Sequence, residues 1–554
     1  MEILFTVLVL LLAVAFSGVA RKWLPFAVPL PLLQIALGAA LAWPVLDLHV
    51  TFDPELFLLL FIPPLLFLDG ARTPRREFVQ NKRPILALAL GLVFFTVAGV
   101  GYFVHWLIPA IPLPVAFALA AVLSPTDAVA LGGIVGKGRI PDTLLQILEG
   151  EALMNDASGL VALKFAVVAA MTGTFSLLNA SASFVLIALG GLACGALLGV
   201  AFAWGRNLLV SFSGDEPGPQ VVLMLLLPFA AYLVAERLGV SGILSAVAAG
   251  MAVNASDLFK STSLATRLQA NSTWAMIEFV FNGLVFILLG LQLPHIIGSA
   301  LVEAHHDSAT AAWQLVGYVA AVMLALHVLR FVWVWALRYT ARAAMRKQGM
   351  LHVKAGWRTL SLMTLGGVRG AVTLAGVLAL PLTLPGGAPF PARDLVVFIA
   401  ASIILLSLLL GAIGLPLLLR NIAPPTDTRH HREENRARSL IAHAAISALE
   451  RERDALSVDM SEADAASITT LTAQLMEIYR RRVAVLETEA EQREHVVREE
   501  RLMRNLRGVA MRAERDEAYR LHKADEINDE ALAKLIREID LAEAAFSERP
   551  RFDK

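Results

Sequence analysis

The chain has 554 residues, of which 57% are hydrophobic and 17% charged, with a mean hydropathy of +0.65. A water-soluble domain carries about 25% charged residues, so this composition excludes one for most of the length. The formal net charge of zero hides a division: the 131 residues after Ala423 hold 28 acids and 23 bases, whereas the 423 before it hold 19 and 24. The expected architecture is therefore an all-α polytopic membrane domain over 1–423 and a charged, cytoplasmic helical tail over 424–554.

The first apolar stretch, 3–20, has no basic residues before it and is followed by Arg21 and Lys22. That order predicts a retained span and not a cleaved signal peptide. A membrane-spanning helix needs about 20 mostly apolar residues. Spans are expected near 3–20, 25–42, 54–71, 84–107, 112–135, 143–171, 181–204, 219–237, 240–254, 271–293, 311–337, 357–380 and 394–420, thirteen in all, the ninth being short. Basic residues crowd alternate loops, most densely at 72–83 and 338–358, and the intervening loops carry only Arg237 and Arg393. By the positive-inside rule the N-terminus is outside and the tail inside. An even number of spans breaks the alternation.

Cys194, the single cysteine, lies in an apolar run and reads as a packing residue. Gly191, Gly195 and Gly199 recur every four residues and predict a close helix contact. The tail from Arg429 is rich in Ala, Glu, Arg and Leu, which reads as helices in water. Asn528, followed by Asp529 and Glu530, is an N-cap for a last helix running through Leu541. No phosphate loop or metal cluster occurs, and no cofactor or nucleic-acid partner is expected.

A charge near the bilayer centre costs about 2.5–3.5 kcal/mol on the mildest scale, so acids placed there need a reason. Asp127, Glu151 and Asp156 fall in the fifth and sixth spans and Glu278 in the tenth; Asp69 and Glu236 are close enough to span ends to be read as solvated. The fifth span contains Ser-Pro-Thr-Asp at 124–127, where Pro125 removes a backbone donor. The twelfth contains Gly-Gly-Val-Arg-Gly at 366–370. Paired helix interruptions point to a midplane ion site. Arg369 suits the exposed carbonyls of such a break and Asp127 its N–H groups. Asp127 is thus a candidate for scaffolding and for direct ligation alike. In the sixth span Glu151 and Asn155 share a face, and Asp156 is rotated about 100° further. Carboxylate, amide and broken-helix carbonyls supply the hard oxygens an alkali cation prefers. Removing a carboxyl group from water favours its neutral form, so a proton and a cation compete for one group.

Three segments in order, Ser124-Pro-Thr-Asp-Ala-Val-Ala130, Glu149-Gly-Glu-Ala-Leu-Met-Asn-Asp156 and Gly366-Gly-Val-Arg-Gly-Ala-Val372, resemble the NhaP-type Na⁺/H⁺ antiporters of the monovalent cation:proton antiporter-1 family. The resemblance covers roughly 1–420. It implies thirteen helices in two inverted six-helix repeats with the fifth and twelfth broken, and homodimers that move a core part like an elevator. It further implies a cation and proton site at Asp156 and Asn155, with Asp156 holding Na⁺, and with Thr126 and Asp127 on the unwound fifth helix. Glu151 matches a glutamate paired with an arginine of the eleventh helix, here Arg330, and Arg369 matches the arginine of the twelfth. One position departs: some members carry a Ser cation ligand directly after that glutamate, where this chain has Ala152. The expected activity is electroneutral exchange of Na⁺, Li⁺ or K⁺ for H⁺ across a bacterial inner membrane, in the service of pH and sodium homeostasis. K⁺/H⁺ exchange, a cation channel and a membrane-bound sensor stand as rival readings.

Overall fold

The computed structural model describes residues 2–23, 28–42, 54–135, 140, 142–173, 177–256, 262–306, 312–347, 357–384, 387–420, 428–456, 462–487 and 490–547. Among them the regular structure is helical, apart from one isolated β-bridge between Thr383 and Pro389. The chain forms two compact units, Met1–Pro425 and Thr426–Lys554. The boundary expected after Ala423 lies outside the described residues.

In the first unit the helices are α1 (Glu2–Trp23), α2 (Leu30–Leu41), α3 (Pro54–Arg72), α4 (Arg75–Gln80), α5 (Lys82–Leu86), then a π-helical turn (Ala87–Leu92) that runs into α6 (Val93–Leu107). They continue as α7 (Leu113–Leu123), α8 (Ala128–Val135), α9 (Asp142–Thr172), α10 (Leu177–Ser213), α11 (Pro217–Arg237), α12 (Gly242–Ala255) and α13 (Leu264–His306). The set closes with α14 (Ala312–Lys347), α15 (Trp357–Leu365), α16 (Ala371–Leu378) and α17 (Arg393–Leu419). Among the described residues eight helices are long and apolar enough to cross a membrane. Several outrun the expected spans. Arg206, expected in a loop, lies inside α10, where its Nε donates to Gln220 Oε1 at 2.8 Å and its guanidinium faces Asp215 at 3.6 Å.

Small residues decide which helices touch. In lipid there is no hydrophobic drive between helices, so association depends on close backbone approach and packing. Side chains at Gly191 and Gly195 would run into the carbonyls of Ser241 and Ser245 on or beside α12, and one at Gly199 into the backbone of Ala249. The expected glycine stripe is therefore the α10–α12 contact. Two reciprocal pairs repeat the device. Gly70 of α3 lies on the Val247 carbonyl while Gly250 of α12 lies on that of Phe67; Gly38 of α2 lies on the Ile287 carbonyl while Gly290 of α13 lies on that of Ile35. Gly239, with φ +74°, turns the chain between α11 and α12 in a conformation that residues with a Cβ rarely adopt. Ser241 then caps α12 by accepting from the Leu244 N–H at 3.3 Å.

These contacts gather α1–α3 with α10–α13, while α6, α7, α9 and α14–α17 form a second group whose α16 and α17 also pack against α3 and α13. The second group is tied by hydrogen bonds that repair irregular backbone. A π-helical turn leaves carbonyls without their usual i+4 donors. Here Trp333 Nε1 donates to Ala87 O at 3.0 Å and Ser158 Oγ to Ala89 O at 2.7 Å, fixing α14 and α9 to the turn.

The second unit holds α18 (Thr428–Leu456), α19 (Glu462–Glu487), α20 (Ala490–Lys523) and α21 (Asp529–Ser547). α18 packs on α19 and α20 on α21. Asn528 caps the last helix, its Oδ1 accepting from the Ala531 N–H at 2.8 Å, and that helix runs past Leu541 to Ser547. Arg515 bridges α20 to α21 through Asp540 at 2.7 Å and Glu543 at 2.6 Å.

Candidate functional site

Both expected helix breaks are present. Residues 124–127 separate α7 from α8, and 366–370 separate α15 from α16. The two breaks lie against each other, because the Asp127 N–H donates to the Val368 carbonyl at 2.7 Å. Each break also carries a charge. Arg369, 2% exposed, donates from Nε to Leu123 O at 3.0 Å, capping the carbonyl end of α7, and from Nη1 to the carbonyl of Gly367 in its own break. Asp127 accepts the Ala130 N–H at 2.9 Å and so caps α8. A cation at exposed carbonyls and an anion at exposed N–H groups are the favourable arrangement at helix ends. Ser407 of α17 accepts the Arg369 N–H at 3.1 Å.

The glycines of the second break make room for charged groups. A Cβ at position 370 would lie within the Asp127 carboxylate, and one at 367 would meet the Arg330 guanidinium. Gly159 of α9 likewise leaves space for the Pro125 ring, which seats the first break on α9.

Behind the breaks runs a buried polar chain. Arg330 of α14 holds Glu151 of α9 with two hydrogen bonds, Nη1 to Oε1 at 2.5 Å and Nη2 to Oε2 at 2.9 Å, and its Nε donates to Met363 O of α15 at 2.9 Å. Both side chains are nearly inaccessible, at 3% and 1%. The Thr126 hydroxyl donates to Glu151 Oε1 at 3.4 Å, and Asn155 Nδ2 donates to Thr126 Oγ1 at 2.9 Å. Asn155 is fully buried, and its Oδ1 has no hydrogen-bond partner among the described residues.

Asp156 points elsewhere. It lines a cavity with about 40 Å³ of space for water-sized molecules, together with Asp69, Thr126, Asp127, Glu278 and Asn282. Gly370 and Thr373 complete the polar side of the wall, and α3 residues such as Ile62 and Leu66 the apolar side. The space opens where the two helix groups meet. Glu278 is engaged by Arg72 at 2.6 Å. Among the described residues no hydrogen bond or ion pair engages the Asp156 carboxylate, which is 9% exposed.

The structure thus brings Thr126, Asp127 and Asp156 to one cavity, with Asn155 beside them and Glu151, Arg330 and Arg369 in the supporting layer. Glu149 is exposed. Asp69 corrects an expectation: it is not a solvated span-end residue but a half-buried one in the cavity wall, on the α3 face shared with Ile62, Leu65 and Leu66. The i, i+3, i+4, i+7 spacing of those four was the available signal. Asn282 and Thr373, uncharged and on other helices, were not singled out from the sequence.

A family model described as sodium/hydrogen exchanger, transmembrane, matches residues 7–421. A protein of Escherichia coli (strain K12) named uncharacterized Na(+)/H(+) exchanger YjcE is 49% identical over 99% of this chain and 100% of its own length. A sodium, potassium, lithium and rubidium/H(+) antiporter of Bacillus pumilus (strain SAFR-032) is 44% identical over 87% of this chain and 70% of its own. The sodium proton antiporter MjNhaP1 of Methanocaldococcus jannaschii aligns in structure over 76% of this chain and 99% of its own, with a TM-score of 0.57 at 19% identity, a likeness of fold. The paired breaks, the buried acids and these matches together place the chain in the transmembrane sodium/hydrogen exchanger family.

Proposed function

We propose that this chain exchanges Na⁺ for H⁺ across the cytoplasmic membrane of a bacterium, with Asp156 binding the cation and the proton in turn. The observation that carries the reading is a buried carboxylate in a cavity with no hydrogen-bond or ion-pair partner among the described residues. A carboxylate removed from water is costly unless a cation or a proton neutralises it, and an antiporter needs a group that either can satisfy. Asn155, Thr126 and Asp127 add amide, hydroxyl and carboxylate oxygens nearby, while Glu151, Arg330 and Arg369 hold the helices that carry them. Thirteen crossings in two inverted repeats, an outside N-terminus, a cytoplasmic tail after Ala423 and a homodimer complete the reading. The cavity's place between two helix groups is where an elevator-like displacement of one against the other would change its access. The role in the cell is pH and sodium homeostasis.

A broader cation range is the second reading. The Bacillus pumilus relative bears a name with four alkali cations, and the ligand atoms the cavity wall offers a cation are hard oxygens, which do not by themselves exclude K⁺. Everted vesicles loaded with a pH dye test both readings, ion by ion. Wild type should dequench the dye on adding Na⁺, and normally inserted Asp156→Asn should not. Retention of a tenth of the wild-type signal by that variant would move the binding group elsewhere.

A further inference from the structure

We infer that the Thr373 hydroxyl is a ligand for the transported alkali cation and helps set the preference among alkali ions. The inference rests on the reading of Asp156 as the binding group.

Thr373 stands one turn into α16, just past the second break, and lines the same small cavity as Asp156. It is 2% exposed. A threonine inside a helix ordinarily returns its hydroxyl proton to the carbonyl three or four residues back. Neighbouring hydroxyls do so: Thr364 to Leu360 O at 2.8 Å, Ser124 to Ala121 O at 2.9 Å and Ser407 to Ile404 O at 2.9 Å. For Thr373 the residue four back is Arg369, which lies in the break, outside any helix. No partner for the Thr373 hydroxyl exists among the described residues, and it is not among the buried atoms sealed off without a partner. Its slight exposure is therefore exposure to the cavity.

A hydroxyl that faces a cavity and has no protein partner among the described residues is left to bond whatever occupies the space. A hydroxyl oxygen is also a hard, neutral donor that adds to the shell of an alkali cation without adding charge. Space of about 40 Å³ holds roughly three waters, taking about 10–15 Å³ for each. Asp156 and Thr373 line this one space, and the α16 wall offers a side-chain oxygen at Thr373. Ala152, buried on α9, offers none. The ligand set read from sequence comes from the first break and α9; Thr373 adds an oxygen from α16, the helix that follows the second break.

The test uses the full-length protein in proteoliposomes, with the apparent KM and maximal rate measured separately for Na⁺, Li⁺ and K⁺. Thr373→Val keeps the shape and removes the hydroxyl; Thr373→Ser keeps the hydroxyl. Thr373→Val should raise the Na⁺ KM by about tenfold, the size expected for one lost contact to a charged partner. It should alter the ratios among the three cations and leave the maximal rate within about twofold. Thr373→Ser should stay near wild type. A Val variant with unchanged KM values and ratios overturns the inference. Should Thr373→Val fail to insert, Thr373→Cys replaces it, since a thiol is a poor donor to hard cations; a Cys variant indistinguishable from Ser overturns the inference equally. Asp156→Asn is run alongside. Exchange by that variant would overturn the reading beneath, whereas its inactivity with an unaltered Val variant would overturn this inference alone.

Discussion

The Asp127 N–H and the Val368 carbonyl meet at 2.7 Å, so a break in one span supplies the acceptor for a donor freed in the other. Arg369 completes the exchange by donating to Leu123 O across the crossing. An isolated break in lipid would leave such groups unsatisfied at several kcal/mol each. Crossed, the two breaks repair each other and still leave the side chains of Thr126 and Asp127 beside a cavity.

The crossing depends on the absence of a side chain at position 370. Gly370→Ala would place a methyl group within the Asp127 carboxylate. The variant should insert but lose exchange and melt earlier in detergent, as followed by dye dequenching and by thermal shift on purified protein. Wild-type exchange by this variant would mean that the crossing can spread without loss.

Glu151 and Arg330 should behave as one unit. Removing one partner of a buried pair strands the other charge and typically costs about 3–5 kcal/mol. Glu151→Gln and Arg330→Ala should each lower detergent thermostability sharply, and the double variant by much less than the combined losses. Additive losses would show that the contact contributes little. Thr126 and Asn155 hang from the same pair through hydrogen bonds, so Glu151→Gln should also impair exchange.

Exchange should be electroneutral. Asn155, beside Asp156, cannot titrate, Glu151 is held by Arg330, Glu278 by Arg72, and Asp127 caps α8, which leaves Asp69 as the other acid of the cavity wall. One carboxylate that alternates between Na⁺ and H⁺ carries the same charge both ways. In proteoliposomes clamped with K⁺ and valinomycin, the rate should not respond to the imposed potential. A transported net charge would instead feel about 2.3 kcal/mol per 100 mV, and a voltage-dependent rate would point to a second proton carrier.

The tail should modulate exchange without performing it. Asp156 and the acids around its cavity all lie in the first unit, and α18–α21 form a compact unit of their own. Truncation after Ala423 should leave exchange measurable, with a shifted pH profile or an altered oligomeric stability. An inserted truncate silent at every pH would contradict this.

Several features were legible in the sequence because their cause is local. Pro125 lacks a donor and the glycines at 366, 367 and 370 weaken a helix wherever they stand, so both breaks could be placed to the residue. An acid in an apolar run costs energy whatever surrounds it, which made Asp127, Glu151 and Asp156 conspicuous. Asn528 and the acids after it mark a helix start by chemistry that reaches only three residues. The pairing of Glu151 with Arg330 was different: the two are 179 residues apart, and only the resemblance to known antiporters joined them.

Tertiary structure decided what faces what. Asp69 reads as solvated because it lies close to a span end, yet the close approach of α3 to α12 at Gly70 and Gly250 fixes α3 with Asp69 in the cavity wall. Thr373 and Asn282 carry no charge, so placing them in a span leaves little mark on a hydropathy profile; they matter through the space they share with Asp156. The sequence determined by itself which helices break and which carry costly charges, because those are properties of a residue and its near neighbours. Which oxygens converge on one cavity was settled only by the crossing of helices far apart in the chain, because convergence depends on backbone approach that no single segment encodes.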